Sequence, residues 1–115
     1  MLKKAIKSIQ STNLEKPFPL KYTKTDRGKW NFARMFVKNY EGNSIWMHMG
    51  PLYVKVLKEI NPKQAKIHIN SYTKLIEKYK NFLEVFNENA TPFKSPFYYS
   101  DESMLWAANY LTLIK

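Results

Sequence analysis

Residues 61–86, NPKQAKIHINSYTKLIEKYKNFLEVF, decide how the rest of the chain is read. Asn61-Pro62 reads as the stop of a preceding helix. Ala65–Ile69 then alternates, with Ile67 and Ile69 inward, which predicts a short strand. Asn70 or Ser71 supplies an N-cap. From Tyr72 onward the apolar residues Tyr72, Leu75, Ile76, Tyr79, Phe82, Leu83 and Phe86 recur at helical spacing, with Lys74, Glu77, Lys78, Asn81 and Glu84 on the wet side. The spacing predicts a long amphipathic helix over 72–87, with Leu75, Ile76, Phe82 and Leu83 as core.

Toward the N-terminus, Gly50-Pro51 suits a helix start, with Pro at the first helical position. A short helix follows, with Leu52, Val56 and Ile60 on one face and Tyr53 and Leu57 flanking. Three segments with strand character precede it: Leu20–Thr25, Trp30–Val37 and Ser44–Met49. Asp26-Arg27-Gly28-Lys29 and Glu41-Gly42-Asn43 are the turn signals between them. Toward the C-terminus, residues 91–96 form a linker with two prolines. Ser100 caps a last helix, with Asp101 and Glu102 at its positive end. From Met104 to Ile114 that helix is apolar nearly all round. Met104, Leu105, Ala108 and Leu111 form the stripe for the chain's own core, while Trp106, Tyr110 and Leu113 are left for a partner protein.

The fold expected is therefore α+β: three antiparallel strands, a short helix, a strand, a long amphipathic helix, then a C-terminal helix. Residues 1–16 read as a basic amphipathic N-terminal arm, 17–89 as the α+β domain, and 90–115 as a linker and C-terminal interaction helix. In the arm, Leu2, Ala5, Ile6 and Ile9 fall at helical spacing among Lys3, Lys4 and Lys7, and Pro17 and Pro19 end it.

Composition narrows the function. The chain has 115 residues, 44% of them apolar and 16% aromatic, enough for one core. It has no cysteine, which excludes a disulfide scaffold, an iron–sulfur site and a thiol nucleophile. No apolar run approaches the ~18–20 residues of a membrane span, and no secretory signal is expected. The net charge is +10, and it is unevenly placed. Residues 1–40 hold ten basic and two acidic side chains, residues 41–115 nine and seven. Such an asymmetry is the electrostatic footprint expected for phosphate. Lys3, Lys4, Lys7, Lys21, Lys24, Arg27, Lys29, Arg34 and Lys38 are the candidate RNA-binding residues. Aromatics are interleaved with them. Trp30 and Phe32 read as core, and Tyr22 or Trp46 as a base-stacking ring.

Little points to chemistry. The three glycines, at 28, 42 and 50, fit turns or a cap and match no phosphate-cradling loop. His48 and His68 fall on predicted strands that can neighbour each other, with no carboxylate placed to complete a metal site. Asp101 and Glu102 are adjacent on a helix and so point apart. The expectation is no catalytic, cofactor-binding or metal-binding residue, no small-molecule substrate and no membrane span.

Several segments resemble the mitochondrion-specific large-subunit ribosomal protein family number forty-nine. Lys24-Thr25 followed by Gly28 is similar to the opening of that family's pattern. Gly42-Asn43 with Ile45–Met49 is similar to its next turn and strand, and Lys66-Ile67-His68-Ile69-Asn70 leading into Leu75–Phe86 to its end. The resemblance covers residues 18–87. The family's Leu-Pro-Val-Tyr signature falls here on Trp30-Asn31-Phe32-Ala33, and its Gly-Asp on Gly50-Pro51. The resemblance implies a fold like translation initiation factor one, a place in the mitochondrial matrix, and a structural, non-enzymatic role in the ribosomal large subunit. Its partners would be rRNA and neighbouring subunits. A basic accessory subunit of a respiratory-chain complex is the alternative. A small enzyme or a free RNA-binding regulator is a third class.

Overall fold

Asn61 and Pro62 start a helix as well as following one. In the computed structural model, which describes residues 1–24 and 42–115, the Asn61 side-chain oxygen accepts the Gln64 amide at 3.1 Å and Pro62 takes the first helical position. A helix of 18 residues, Pro62–Tyr79 (α3), follows directly on Met49–Ile60 (α2). The strand expected at Ala65–Ile69 is the second turn of α3. Its buried residues are Ala65 and His68, and Tyr72 continues the same stripe one turn on. Ile67, read as inward, is 51% exposed. Five residues of alternation cannot be told from one helical turn by periodicity, and the cap at Asn61 settles the matter locally.

The far end of the expected long helix is also different. Lys80 adopts the left-handed conformation with φ 56°, and α3 stops at Tyr79 instead of running to residue 87. Beyond it Val85–Phe86 (β2) is extended and pairs antiparallel with Ile45–Trp46 (β1), Ile45 opposite Phe86 and Trp46 opposite Val85. Val85 falls off the apolar stripe in a helical register, but as a β-branched residue in β2 it is fully buried.

Three expected antiparallel strands followed by a fourth are therefore not the fold. Among the described residues there are two two-stranded antiparallel sheets, β1–β2 and Lys94–Ser95 (β3) with Tyr98–Tyr99 (β4). Around them run single bridges: Lys21 beside Ile45, Pro92 beside Phe86, and Glu102 beside Leu83. Of the expected third strand only Ile45–Trp46 pairs as a strand, because α2 begins at Met49. The expected second strand and the turn at 26–29 lie outside the described residues. Nor does the initiation-factor-like order survive, since its Ile-rich strand is helical here.

Among the described residues four helices share a core with this short ribbon, the outer two being Leu2–Ser11 (α1) and Met104–Ile114 (α4). In α2 the inward residues are Tyr53, Val54 and Leu57, with Gly50 and Pro51. The inward face is thus turned from the Leu52–Val56–Ile60 stripe read in the sequence, and Leu52 is exposed. One core joins all four helices. Ile6 of α1, Leu57 of α2, Tyr72 of α3 and Tyr110 of α4 belong to it, with Phe18, Ile45 and Phe86 from the connecting segments. Phe82 and Leu83 are buried in it and Leu75 and Ile76 pack against it. A smaller cluster of Trp46, Val85 and Phe93 lies on the ribbon.

Candidate functional site

α1 carries Lys3, Lys4 and Lys7 and no acid. The helix lies on the body through Ile6, which is buried, and through Ile9, which packs against the same core. The three lysines are one to four residues apart, so they share the side turned away from that contact, and all three are exposed. Lys24 is exposed as well, two residues from Tyr22. Lys21 is placed differently. Its ammonium lies 2.5 Å from Glu88 and its side chain is only 12% exposed. The other Glu88 oxygen accepts Asn43. Lys21 therefore ties the segment before β1 to the turn after β2, and its charge is already matched. Arg27, Lys29, Arg34 and Lys38, and with them Trp30 and Phe32, lie outside the described residues.

The two candidate stacking rings separate. Trp46 is buried, and its indole N–H donates to Ser44 Oγ at 3.1 Å. Tyr22 is 48% exposed and leans on Trp46 with ring centres 6.2 Å apart. The row continues through His48, edge-on to Trp46 at 5.4 Å, to Trp106 at 5.3 Å from His48. Tyr22 is the ring of this row that offers most of its surface to a base, close in sequence to the exposed ammonium of Lys24.

The faces of α4 are the reverse of the sequence reading. Tyr110 and Leu113 are buried, and the Tyr110 hydroxyl is 2.7 Å from Thr73 Oγ1 on α3. Trp106 is half-buried against His48. Lys58 of α2 donates to the Leu113 carbonyl at 3.1 Å, holding the C-terminal end of α4 in place. Exposed instead are Leu105 (81%), Ala108, Leu111 and Ile114. When both stripes of a helix are apolar, hydrophobicity cannot say which one faces inward. The phenol of Tyr110 decides it here by finding a partner on α3.

A buried polar cluster was not legible in the sequence. Glu15, in the turn after α1, accepts the Tyr53 hydroxyl at 2.5 Å, and His68 Nε2 lies 3.4 Å from the same carboxylate oxygen. Gln64 Nε2 is 3.3 Å from His68 Nε2. All three of Glu15, Tyr53 and His68 are buried, and His68 Nδ1 has no hydrogen-bond partner. Burial, then the bond to Glu15 and its charge, raise the Tyr53 pKa. Burial also lowers that of His68, against the opposing pull of Glu15. The expectation that His48 and His68 share a sheet surface is not met. One precedes α2 beside two tryptophans and the other is inside α3. The signal that was available is the stripe Ala65, His68, Tyr72, which places His68 inward once α3 starts at Pro62.

Among the described residues no three His, Asp or Glu side chains gather as a metal site. Nor is any helix there long and apolar enough to cross a membrane. Comparison with protein-family models, with curated proteins and with solved structures finds no match to this chain.

Proposed function

We propose that this chain is a non-catalytic, RNA-binding structural subunit of a large particle, with rRNA of a mitochondrial ribosomal large subunit as its nucleic acid and the mitochondrial matrix as its location. The observation that carries the reading is α1, an acid-free helix held to the body by Ile6 that turns Lys3, Lys4 and Lys7 outward together. A helix docked on a core presents its charges as a surface, and three ammonium groups on one side of a turn match neighbouring phosphates of one strand. Lys24 and the half-exposed ring of Tyr22 extend the same chemistry to unpaired bases. The resemblance over residues 18–87 lends no structural weight, because the strand it implies at Ala65–Ile69 is helical.

The decisive measurement is the salt dependence of RNA binding. Replacing Lys3, Lys4 and Lys7 by Ala is expected to weaken binding alike across sequences. It should flatten the slope of log affinity against log salt by roughly 0.7–0.9 for each phosphate that is no longer neutralised. An unchanged slope removes RNA from this face. Co-sedimentation of the native protein with ribosomal particles supports the particle named. Recovery in a detergent-solubilised membrane complex supports the respiratory accessory subunit instead.

The protein neighbour in that particle is assigned to the outward stripe of α4. Leu105→Glu with Leu111→Glu is expected to leave the isolated fold within about 0.5 kcal/mol, as for exposed positions, and to reduce incorporation in a pulse-labelled assembly assay. Trp106→Ala with Tyr110→Ala, in contrast, should destabilise the chain itself. Normal incorporation of the double glutamate variant removes α4 as an interface.

A further inference from the structure

We propose that Glu15, Tyr53 and His68 form a proton-operated latch that holds α1 on the body, and that uptake of one proton at His68 frees residues 1–16 while α2, α3 and α4 stay folded. Among the described residues little else holds α1. Of its ten residues only Ile6 is buried, with Ile9 and Gln10 half-buried. Past the turn, Phe18 is sealed edge-on against Tyr72 and Phe86, at 6.2 and 5.4 Å, and stays with the body. Between these anchors sits Glu15, the one acid of the first 25 residues, buried inside the protein. Its carboxylate is met from α2 by the Tyr53 hydroxyl and from α3 by His68. The cluster thus joins the N-terminal segment to two helices at once.

Among the described residues the groups facing His68 are few. Glu15 comes from the N-terminal segment, Gln64 from its own helix, and the ring of Tyr53 from α2, with centres 6.3 Å apart. The Gln10 side chain of α1 acts on the Tyr53 phenol as well, against the pull of burial and of Glu15. Lys and Arg take no part among the described residues. In a neutral His68 the proton on Nε2 serves the Glu15 carboxylate, and the Gln64 NH2, itself a donor, then makes no bond to that nitrogen. The Nδ1 lone pair is left bare. A second proton must go on Nδ1, where no acceptor exists and water is excluded. A buried N–H with no acceptor is costly, and on an imidazolium more so. Moving residues 1–16 away opens the site, hydrates the imidazolium and removes that cost.

In the closed state burial holds the His68 pKa below the ordinary 6.5, whereas in the open state it returns to about that value. The open state therefore binds the proton first as pH falls. Between 6.5 and the lowered closed-state value, the opening equilibrium grows by up to about tenfold per pH unit. Above 6.5 the latch is fully engaged.

The test is an amide NMR titration of the full chain from pH 8 to pH 5, with the His68 ring signals followed in parallel. Amide signals of residues 3–16 are expected to move to unstructured positions below pH 6.5, while those of α2 and α3 keep their native shifts. His68→Gln, neutral at every pH and still able to donate to Glu15, should keep the N-terminal signals native throughout. Three results overturn the proposal. Residues 3–16 can stay native while His68 titrates. The same release can persist in His68→Gln. Or the helices and the N-terminal segment can lose structure in a single step. The first of these reads out in the native chain, so the proposal stays falsifiable if the variant folds poorly. None of the outcomes depends on RNA binding.

Discussion

Tyr72→Ala is expected to cost the folded chain about 3–5 kcal/mol, in the range for removing a buried aromatic from a core. The ring is fully buried. It stands edge-on to Phe18 at 6.2 Å and to Tyr110 at 6.4 Å, so it joins the N-terminal segment to α4 through α3. Its hydroxyl donates to the Pro19 carbonyl at 2.9 Å. Burial, with the proximity of Tyr53 second, raises the pKa of this phenol, which keeps the donor protonated. Tyr72→Phe isolates that bond. Leaving the Pro19 carbonyl buried without its donor should cost about 1–3 kcal/mol. Denaturant midpoints of the two variants separate the ring from the hydroxyl. A loss below about 1 kcal/mol for Tyr72→Ala would mean that the core is not organised around this residue.

Gly50→Ala is the second large effect, and it acts at the same place. A methyl group there would meet the Tyr72 hydroxyl and the Pro19 carbonyl oxygen inside van der Waals contact, with the Pro19 carbonyl carbon 2.9 Å away. Two of these three atoms are backbone. The next carbonyl, of Leu20, is engaged by the Trp46 amide at 2.9 Å, so this strand of chain has little room to shift. Overpacking of this kind costs about 1–3 kcal/mol, at the upper end where backbone must move. Alanine's better helix propensity offsets at most ~1 kcal/mol of it. Thermal or denaturant unfolding should therefore show a net loss, and the double variant with Tyr72→Phe should lose less than the sum, because one clash and one bond share an atom. A stabilised Gly50→Ala would show that the segment around Pro19 yields. Gly50 has no positive φ. It is needed here for the close approach of Pro19 and Tyr72 and not for its turn conformation.

Much of the surface chemistry was legible in the residues themselves. The crowding of positive charge into the first forty residues is a property of composition. So is the amphipathic α1, whose Ile6 and Ile9 alternate with Lys3, Lys4 and Lys7 at helical spacing. The terminal helix over 104–114 was legible as a continuous apolar run, but its start was not: Ser100, read as the cap, instead accepts the Val85 amide at 2.9 Å, and the helix begins after Ser103 with no acid in its first turn. What failed were the places where one pattern satisfies two periods. Ala65–Ile69 alternates and also lies on a helical stripe, and residues 82–86 are apolar on both faces.

By itself, then, the sequence determined where charge accumulates, that residues 2–11 and 104–114 are helical, and that α4 is apolar on every side, because each of these depends on residues within one turn or one run. Tertiary structure decided the rest. Lys80 turns left-handed and sends Val85 and Phe86 to pair with Ile45 and Trp46, about forty residues away in the chain. The Tyr110 hydroxyl finds Thr73, which turns Leu105 and Leu111 outward. Glu15 meets Tyr53 and His68 across 38 and 53 residues. In each case a buried polar or backbone group had to find a partner, and the partner lies on a distant element that local spacing does not specify.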